Sequence, residues 1–322
     1  MNGRDAIEVP NEPDVSVIIP CHNSTRTIGL QLQALSQQEG GPRFEVVLVD
    51  NLSTDDLAAA TKPWRERLDV RVVAADAMAN PGYARNVGVA HARARVVAFC
   101  DSDDYASRQW VREAASAAEQ TPVTNGGATP MPEAEFGLGA EHLDGLLEAE
   151  PMMTTLEVPG AAVAYPILLG GSCVMRRDVY FDVGGCDVSA PYGVEDNDLA
   201  LRLQAAGHVI ARAHAMKLAY RTRPEVDQPL GRSFRTGVRH MLLAHRHHLF
   251  GRSPSLPRRW YLGLGRCAAA AARMLVRPSS RDWRSLGQRA ALQAGLLVGH
   301  LRYGVIGRPP QPRLGVGLEG AR

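Results

Sequence analysis

Four short apolar runs, 15–19, 44–49, 70–75 and 96–99, recur through the first hundred residues with helix-compatible stretches between them. Each run is rich in β-branched residues and bounded by polar ones. That pattern describes strands buried on both faces of a parallel sheet. Between the first two runs, Thr25 to Gln38 places Ile28, Leu32 and Leu35 on one helical face. Ser53-Thr54-Asp55-Asp56 has the chemistry of a helix start. Asn80-Pro81-Gly82-Tyr83 reads as a turn, followed by a helix over 84–92. Strand and helix therefore alternate at βαβ spacing, which predicts an α/β fold with a Rossmann-type, mostly parallel sheet and helices on both faces.

The fourth run ends in Cys100-Asp101-Ser102-Asp103-Asp104. In open α/β sheets ligands sit beyond the carboxyl ends of strands, so Asp101 and Asp103 are delivered to a ligand position. Carboxylates this close repel one another unless a cation or protons lie between them. Mg²⁺ and Mn²⁺ favour oxygen ligands and bridge a few carboxylates to substrate phosphates. An Asp-x-Asp clamp for a metal–diphosphate and a solvated acidic loop both fit the motif. Asp50, at the end of the second run, could accept hydrogen bonds from a base or ribose, or cap the turn that follows. Neither Gly-x-Gly-x-x-Gly nor Gly-x-x-x-x-Gly-Lys follows a strand, so a nucleotide would be held by carboxylates and loop backbone.

At 322 residues the chain is long enough for one large domain or two small ones. Its formal charge of +2 hides an asymmetry. Residues 1–200 carry 14 Lys/Arg against 30 Asp/Glu, and residues 201–322 carry 22 against 4. A basic half implies an anionic partner, such as lipid headgroups, nucleic acid or a phosphorylated substrate, or docking on the acidic half. Five scattered cysteines without Cys-x-x-Cys spacing argue for a reducing cytosol rather than a disulfide framework or a zinc site. The polar stretch from Met1 to Pro13 is unlike a signal peptide, and no apolar run reaches membrane-span length. The expectation is a cytoplasmic protein, with peripheral attachment to the inner face of the plasma membrane as a variant.

Four segments carry a resemblance. Val-Ser-Val-Ile-Ile-Pro-Cys-His-Asn (15–23), Val-Leu-Val-Asp-Asn-Leu-Ser-Thr-Asp (47–55), Asn-Pro-Gly-Tyr-Ala-Arg-Asn-Val-Gly (80–88) and Phe-Cys-Asp-Ser-Asp-Asp (99–104) resemble, in order and spacing, the nucleotide-binding half of family 2 glycosyltransferases with the GT-A fold. The resemblance implies that Pro20 and Asp50 line a nucleotide-base pocket, with His22, Asn23, Arg85 and Ser102 beside it. It implies that Asp101 contacts the ribose side and that Asp101 and Asp103 hold a divalent Mn²⁺ or Mg²⁺ on the diphosphate. Arg85 could equally be a structural ion pair.

Residues 121–136, rich in Gly, Pro and Thr, read as a linker or loop, and 142–149 as a short helix. Gly170-Gly171-Ser172-Cys173 resembles the family's glycine-rich strand beside the acceptor, which makes Gly171 and Ser172 acceptor-site candidates. Asp178 to Gly185 reads as a short helix ended by glycine. Glu195, Asp196 and Asp198 open a helix whose apolar face carries Leu199 and Leu203 and which stops at Gly207. Acids at a helix N-terminus are stabilised by its dipole. The resemblance gives the same residues chemistry, with Asp196 as the general base and Glu195 orienting it or touching the acceptor. A histidine that completes the family's metal site aligns here with Tyr220 or Arg221, and His214 precedes it. The Gln-x-x-Arg-Trp signature of processive members is absent, which favours transfer of a single sugar.

Residues 231–250 form a basic, histidine-rich helix pattern, and 258–306 one or two amphipathic helices with Trp260, Tyr261, Leu292 and Leu296 among arginines. Such a pattern fits a helix lying on an anionic membrane or one packed on its own domain. The expected organisation is a catalytic domain over 14–250 and a basic helical extension over 251–322. Within the catalytic domain, 14–110 takes the nucleotide-sugar and 165–225 the acceptor. The expected activity is inverting, metal-dependent transfer of one sugar from a UDP-, dTDP- or GDP-linked donor to an acceptor hydroxyl. The acceptor could belong to a cell-surface glycan, a lipid-linked molecule or a secondary metabolite. Nucleic acid is not an expected partner, since aromatic-interleaved RNA-binding motifs are lacking. A non-catalytic anion-binding protein and a nucleotidyltransferase are the alternatives.

Overall fold

The computed structural model describes residues 12–149, 156–159, 166–191, 193–222, 229–252, 256, 259–276 and 280–319. In chain order it forms β1 (Val15–Cys21), α1 (Ile28–Ser36), β2 (Phe44–Asp50), α2 (Leu57–Thr61), β3 (Val70–Ala74), α3 (Pro81–His91), β4 (Val96–Cys100), β5 (Tyr105–Ala106) and α4 (Trp110–Gln120). Next come β6 (Val123–Gly126), β7 (Thr129–Pro132), α5 (Glu133–Phe136), α6 (Ala140–Ala149), β8 (Leu156–Glu157), β9 (Ser172–Arg176), α7 (Arg177–Asp182) and α8 (Glu195–Ala205). The last elements are β10 (Ala211–Ala213), β11 (Leu218–Thr222), α9 (Pro229–His247), α10 (Leu262–Val276) and α11 (Ser280–His300).

The main sheet has the order β3-β2-β1-β4-β9-β6-β10-β8. β1 pairs in parallel with β2 on one side and β4 on the other. The strand order therefore reverses at β1, and the carboxyl ends of β1 and β4 flank the switch point where α/β sheets bind ligands. The first strand runs two residues beyond its expected end, through Pro20 to Cys21. Pairing with β4 stops at Ile18, so Pro20 sits where β1 has a partner on one side only and its missing N–H breaks no bond on the other.

Period-2 alternation sorts the sheet into two cores. Val15, Val17 and Ile19 face α1 and α4, in a cluster with Leu32, Leu35 and Trp110. Ile18, Val47 and Val49 face the other way, onto Ala84 and Val87 of α3 and Leu199 and Leu203 of α8. Helices thus cover both faces, as the strand runs require.

Two expectations are corrected. Residues 121–136 are not a linker: they form β6, β7 and α5. β6 pairs antiparallel with β9, which in turn pairs antiparallel with β4, so a segment with no hydrophobic period lies inside the sheet. Asn80 to Tyr83 is not a turn before α3 but its first turn. Asn80 Oδ1 accepts the Tyr83 N–H, and Pro81 occupies the first helical position, where no N–H is needed.

The helices beyond residue 250 join a third core, in which Leu296 and Tyr303 meet Met241 and Leu242 of α9 and Val194 and Leu201 around α8. α9 and α11 pack backbone to backbone. A Cβ on Gly295 would lie 2.0 Å from the Phe234 carbonyl, so this crossing requires glycine. The chain then returns to α3, where Asn86 Nδ2 donates to the Val316 carbonyl at 2.8 Å.

Candidate active site

A cleft of about 350 Å³ opens at the switch point. Pro20, Cys21 and His22 enter it from the end of β1, Asp101, Ser102 and Asp103 from the end of β4, and Asn80, Pro81 and Arg85 from α3 and its cap. Asn51 shapes its wall. The buried Asn51 amide donates to the carbonyls of Ala75 and Met78, and its Oδ1 accepts the Asn80 N–H. One side chain thus ties the loop after β2 to the loop that starts α3.

Arg85 joins two carboxylate groups that lie far apart in sequence. Its guanidinium is buried, with Nη2 3.2 Å from Asp101 Oδ1. Nη1 lies 3.5 Å from Asp196 Oδ1 and 3.6 Å from Glu195 Oε1. Asp196 and Glu195 stand in the first turn of α8. Arg85 forms structural ion pairs and also lines the cleft.

Asp196 is the perturbed acid of the group. Burial pushes its carboxyl up to about 7. The Arg85 charge opposes that rise, and Glu195 and Asp101 add to it. Its surroundings are crowded by backbone rather than side chains. A Cβ on Gly170 would fall 2.3 Å from Asp196 Oδ1, and a Cβ on Gly171 would fall 2.6 Å from Asp101 Oδ2. The two glycines therefore let one loop press against both carboxylates, Asp196 and Asp101. Gly171 touches Asp101 in this way. Ser172 is buried in β9, its hydroxyl donating to the Gly127 carbonyl.

The third acid of the β4 motif, Asp104, turns inward. Its Oδ1 accepts the Arg221 N–H, while Oδ2 is buried without a partner. Burial and the charge of Asp101 hold its pKa well above the carboxylate range. Arg221, one of the two positions that align with the family's metal histidine, donates from Nε to the Asp103 carbonyl and pairs with Glu133. Its guanidinium stacks 4.0 Å over the Phe136 ring. His214 instead pairs with Glu157.

Among the described residues no three His, Cys, Asp or Glu side chains are grouped to hold an ion by themselves. The donors present are carboxylate oxygens, and the orphaned Asp104 Oδ2 marks a cluster short of positive charge. Mg²⁺ and Mn²⁺ use one or two carboxylates and fill the remaining positions with water and substrate phosphates. The donor set fits that mode and not an all-protein cage.

Two of the nucleotide-site candidates, Asn23 and Asp50, do not line the cleft, and neither do Gly171, Ser172, Glu195 and Asp196. Asp50 Oδ1 accepts the Ser53 N–H, capping the turn, and borders a separate groove with Arg65 and Arg71. Asn23, at φ +51°, uses its Oδ1 to hold the Thr54 N–H and hydroxyl. Sequence reasoning did not single out Asn51, Asn80 or Asp104 as site residues, although all three stand inside the motifs it quoted.

The model of the family described as glycosyl transferase family 2 matches residues 16–184, just over half of the chain. The chain belongs to glycosyltransferase family 2. The poly(ribitol-phosphate) β-N-acetylglucosaminyltransferase TarS of Staphylococcus aureus is 36% identical over 103 residues. That match covers 31% of this chain and 18% of TarS, so it spans less than a fifth of that relative's length. Glycosyltransferase AglE of Haloferax volcanii is 27% identical over 228 residues, covering 70% of this chain and 72% of AglE. Among solved structures, S. aureus TarS 1–349 in complex with UDP matches with a TM-score of 0.52 at 20% identity, over 89% of this chain and 90% of that one. The mannosyltransferase PcManGT of Pyrobaculum calidifontis, in complex with GDP-Man and Mn²⁺, matches with a TM-score of 0.58 at 21% identity, over 91% and 87%. These likenesses establish the GT-A glycosyltransferase fold for this family 2 chain.

Proposed function

We propose that this family 2 chain is an inverting, divalent-metal-dependent glycosyltransferase that moves one sugar from a nucleoside-diphosphate donor to an acceptor hydroxyl. The observation that carries the reading is Asp196. It is a carboxyl raised to about 7, held by Arg85 next to the cleft that Asp101, Ser102 and Asp103 line. A base of that strength is half-ionised near neutral pH, which suits removal of a proton from an attacking hydroxyl. Glu195 shares the Arg85 guanidinium and orients the pair. The donor's diphosphate lies toward Asp101 and Asp103. A Mn²⁺ or Mg²⁺ bound there would neutralise charge on the departing diphosphate. The relatives' UDP and GDP-Man support a nucleotide-sugar donor, within the UDP, dTDP and GDP classes. The hydroxyl attacks opposite the leaving group, and its proton passes to an Asp196 oxygen.

Asp196→Asn should lower kcat about 10²–10⁴-fold while calorimetry still detects donor binding. The wild-type rate should rise with pH through about 7, because only the ionised carboxylate accepts the proton. A wild-type rate that is flat across this range, or loss of donor binding equal to the loss of rate, removes Asp196 from the role. Asp103→Asn should abolish transfer and weaken metal-dependent donor binding. Transfer at the wild-type rate in that variant would end the metal reading.

A further inference from the structure

The C-terminal helices leave one face uncovered, and sugar transfer makes no use of it. α11 turns Gly295, Leu296 and Gly299 to α9. On the side away from α9, apolar residues recur at spacings of three, four, seven and eleven. These are Trp283, Ala294, Leu297 and Val298, then Leu301 and Val305 in the π turn that follows. All six are solvent-exposed. At about 100° per residue these positions form one stripe along the helix. Arg284 and Arg302 fall on the same border of that stripe, and Arg266 and Arg273 are exposed on the neighbouring α10. Between residues 229 and 318 the chain has 16 arginines and a single acid, Asp282.

An exposed apolar stripe of this length in water marks a surface that something covers. Charge selects the cover. A second copy meeting the same face about a two-fold axis would set arginines against arginines. A bilayer with anionic headgroups offers an apolar layer for Trp283, Leu297, Leu301 and Val305 and phosphates for the arginines that border them. Among the described residues no helix is long and apolar enough to cross a membrane. We propose that the outer face of α11, with α10 beside it, is a docking surface for an anionic membrane. The surface is also fixed rigidly to the catalytic helix. α9 packs on α11, and from its last turn Arg246 and His247 reach Asp198 of α8. Docking through α11 therefore sets the orientation of α8 relative to the bilayer. The proposal is independent of the sugar-transfer reading and is tested without measuring transfer.

The full chain is mixed with phosphatidylglycerol–phosphatidylcholine vesicles and, separately, with pure phosphatidylcholine vesicles, at low and high salt. It should sediment with the anionic vesicles at low salt and be released at high salt. Trp283 reports insertion, since Trp110 and Trp260 are buried and Trp64 half-buried. Tryptophan emission should shift to the blue on binding, and Trp283→Phe should remove the shift. The double variant Leu297→Gln/Leu301→Gln, at exposed positions, should keep the wild-type unfolding transition and lower vesicle partitioning about tenfold or more. The proposal is overturned by absence of sedimentation at low salt, by equal binding to pure phosphatidylcholine, or by a double variant that partitions normally. Self-association of the free chain that the double variant abolishes, without vesicle binding, would assign the stripe to a second copy instead.

Discussion

Two aspartates two positions apart on α8 have opposite electrostatic fates. Asp196 faces Arg85 beside the cleft, where burial and the charges of Glu195 and Asp101 outweigh Arg85 and raise it to about 7. Asp198 faces the C-terminal helices. Burial would raise it too, but the hydrogen bond from His247 and the charge and hydrogen bond of Arg202 pull it down to about 2. The helix dipole acts on both, so the difference comes from the side chains each one meets. The same argument extends to the glycine that holds Asp196 in place. Any Cβ at position 170 would overlap its carboxylate, with Cγ and both oxygens within 2.4 Å. Gly170→Ala should therefore displace Asp196 and lower kcat about 10²-fold, since a shift of about 1 Å in a reacting group costs that much. Donor affinity should be nearly unchanged, because the methyl group meets Asp196 and not the walls formed by Pro20, His22 and Ser102. An alanine variant with wild-type kcat would show that the position of Asp196 is immaterial.

Among the elements, α8 and α9 are joined by a latch of buried charge. Asp198 accepts from Arg202 Nε and His247 Nε2, both at 2.8 Å, and lies 3.2 Å from Arg246 Nη1. Arg246 also reaches Asp187 and the Pro310 carbonyl, so a single guanidinium gathers three segments. Removing one partner of a buried ion group leaves the others uncompensated, at a cost of about 3 kcal/mol. Asp198→Asn should lose about that much unfolding free energy at neutral pH. The pH sign follows from the depressed pKa. The stabilisation is present above the unfolded carboxylate value near 4 and is lost as pH falls toward 2. The wild type should therefore weaken across that acid window, and the Asn variant should show a shallower acid limb. Denaturant titrations at several pH values read both effects. Equal stability of the two proteins at neutral pH would mean that α9 is held by apolar packing alone.

Over the whole molecule, the acidic first part and the basic last part meet at this latch, while the arginines of α10 and the outer border of α11 face outward. Intramolecular docking thus accounts for part of the basic charge and leaves an uncovered face for the rest. Local pattern in the chain was enough for the strands β1 to β4, the acids at the ends of β2 and β4, and the acids that open α8. Strand runs, caps and strand-end carboxylates are written in neighbouring residues, and short-range periodicity reads them directly. Contacts across long sequence separations were not readable in this way. β6 and β7 lie in a Gly-, Pro- and Thr-rich segment without period, and they are strands because β9 and β11 supply their partners. Asp104 belongs to a legible motif, yet only the β11 backbone turns it inward. Arg85 meets Asp196 from 111 positions away, and Gly170 and Gly171 matter because two carboxylates lie where their side chains would be. The sequence by itself determined which segments become the first four strands and where charge collects. Tertiary structure alone decided which of those charges share a guanidinium, because burial and the identity of the neighbours, rather than local propensity, set the energy of an ionised group.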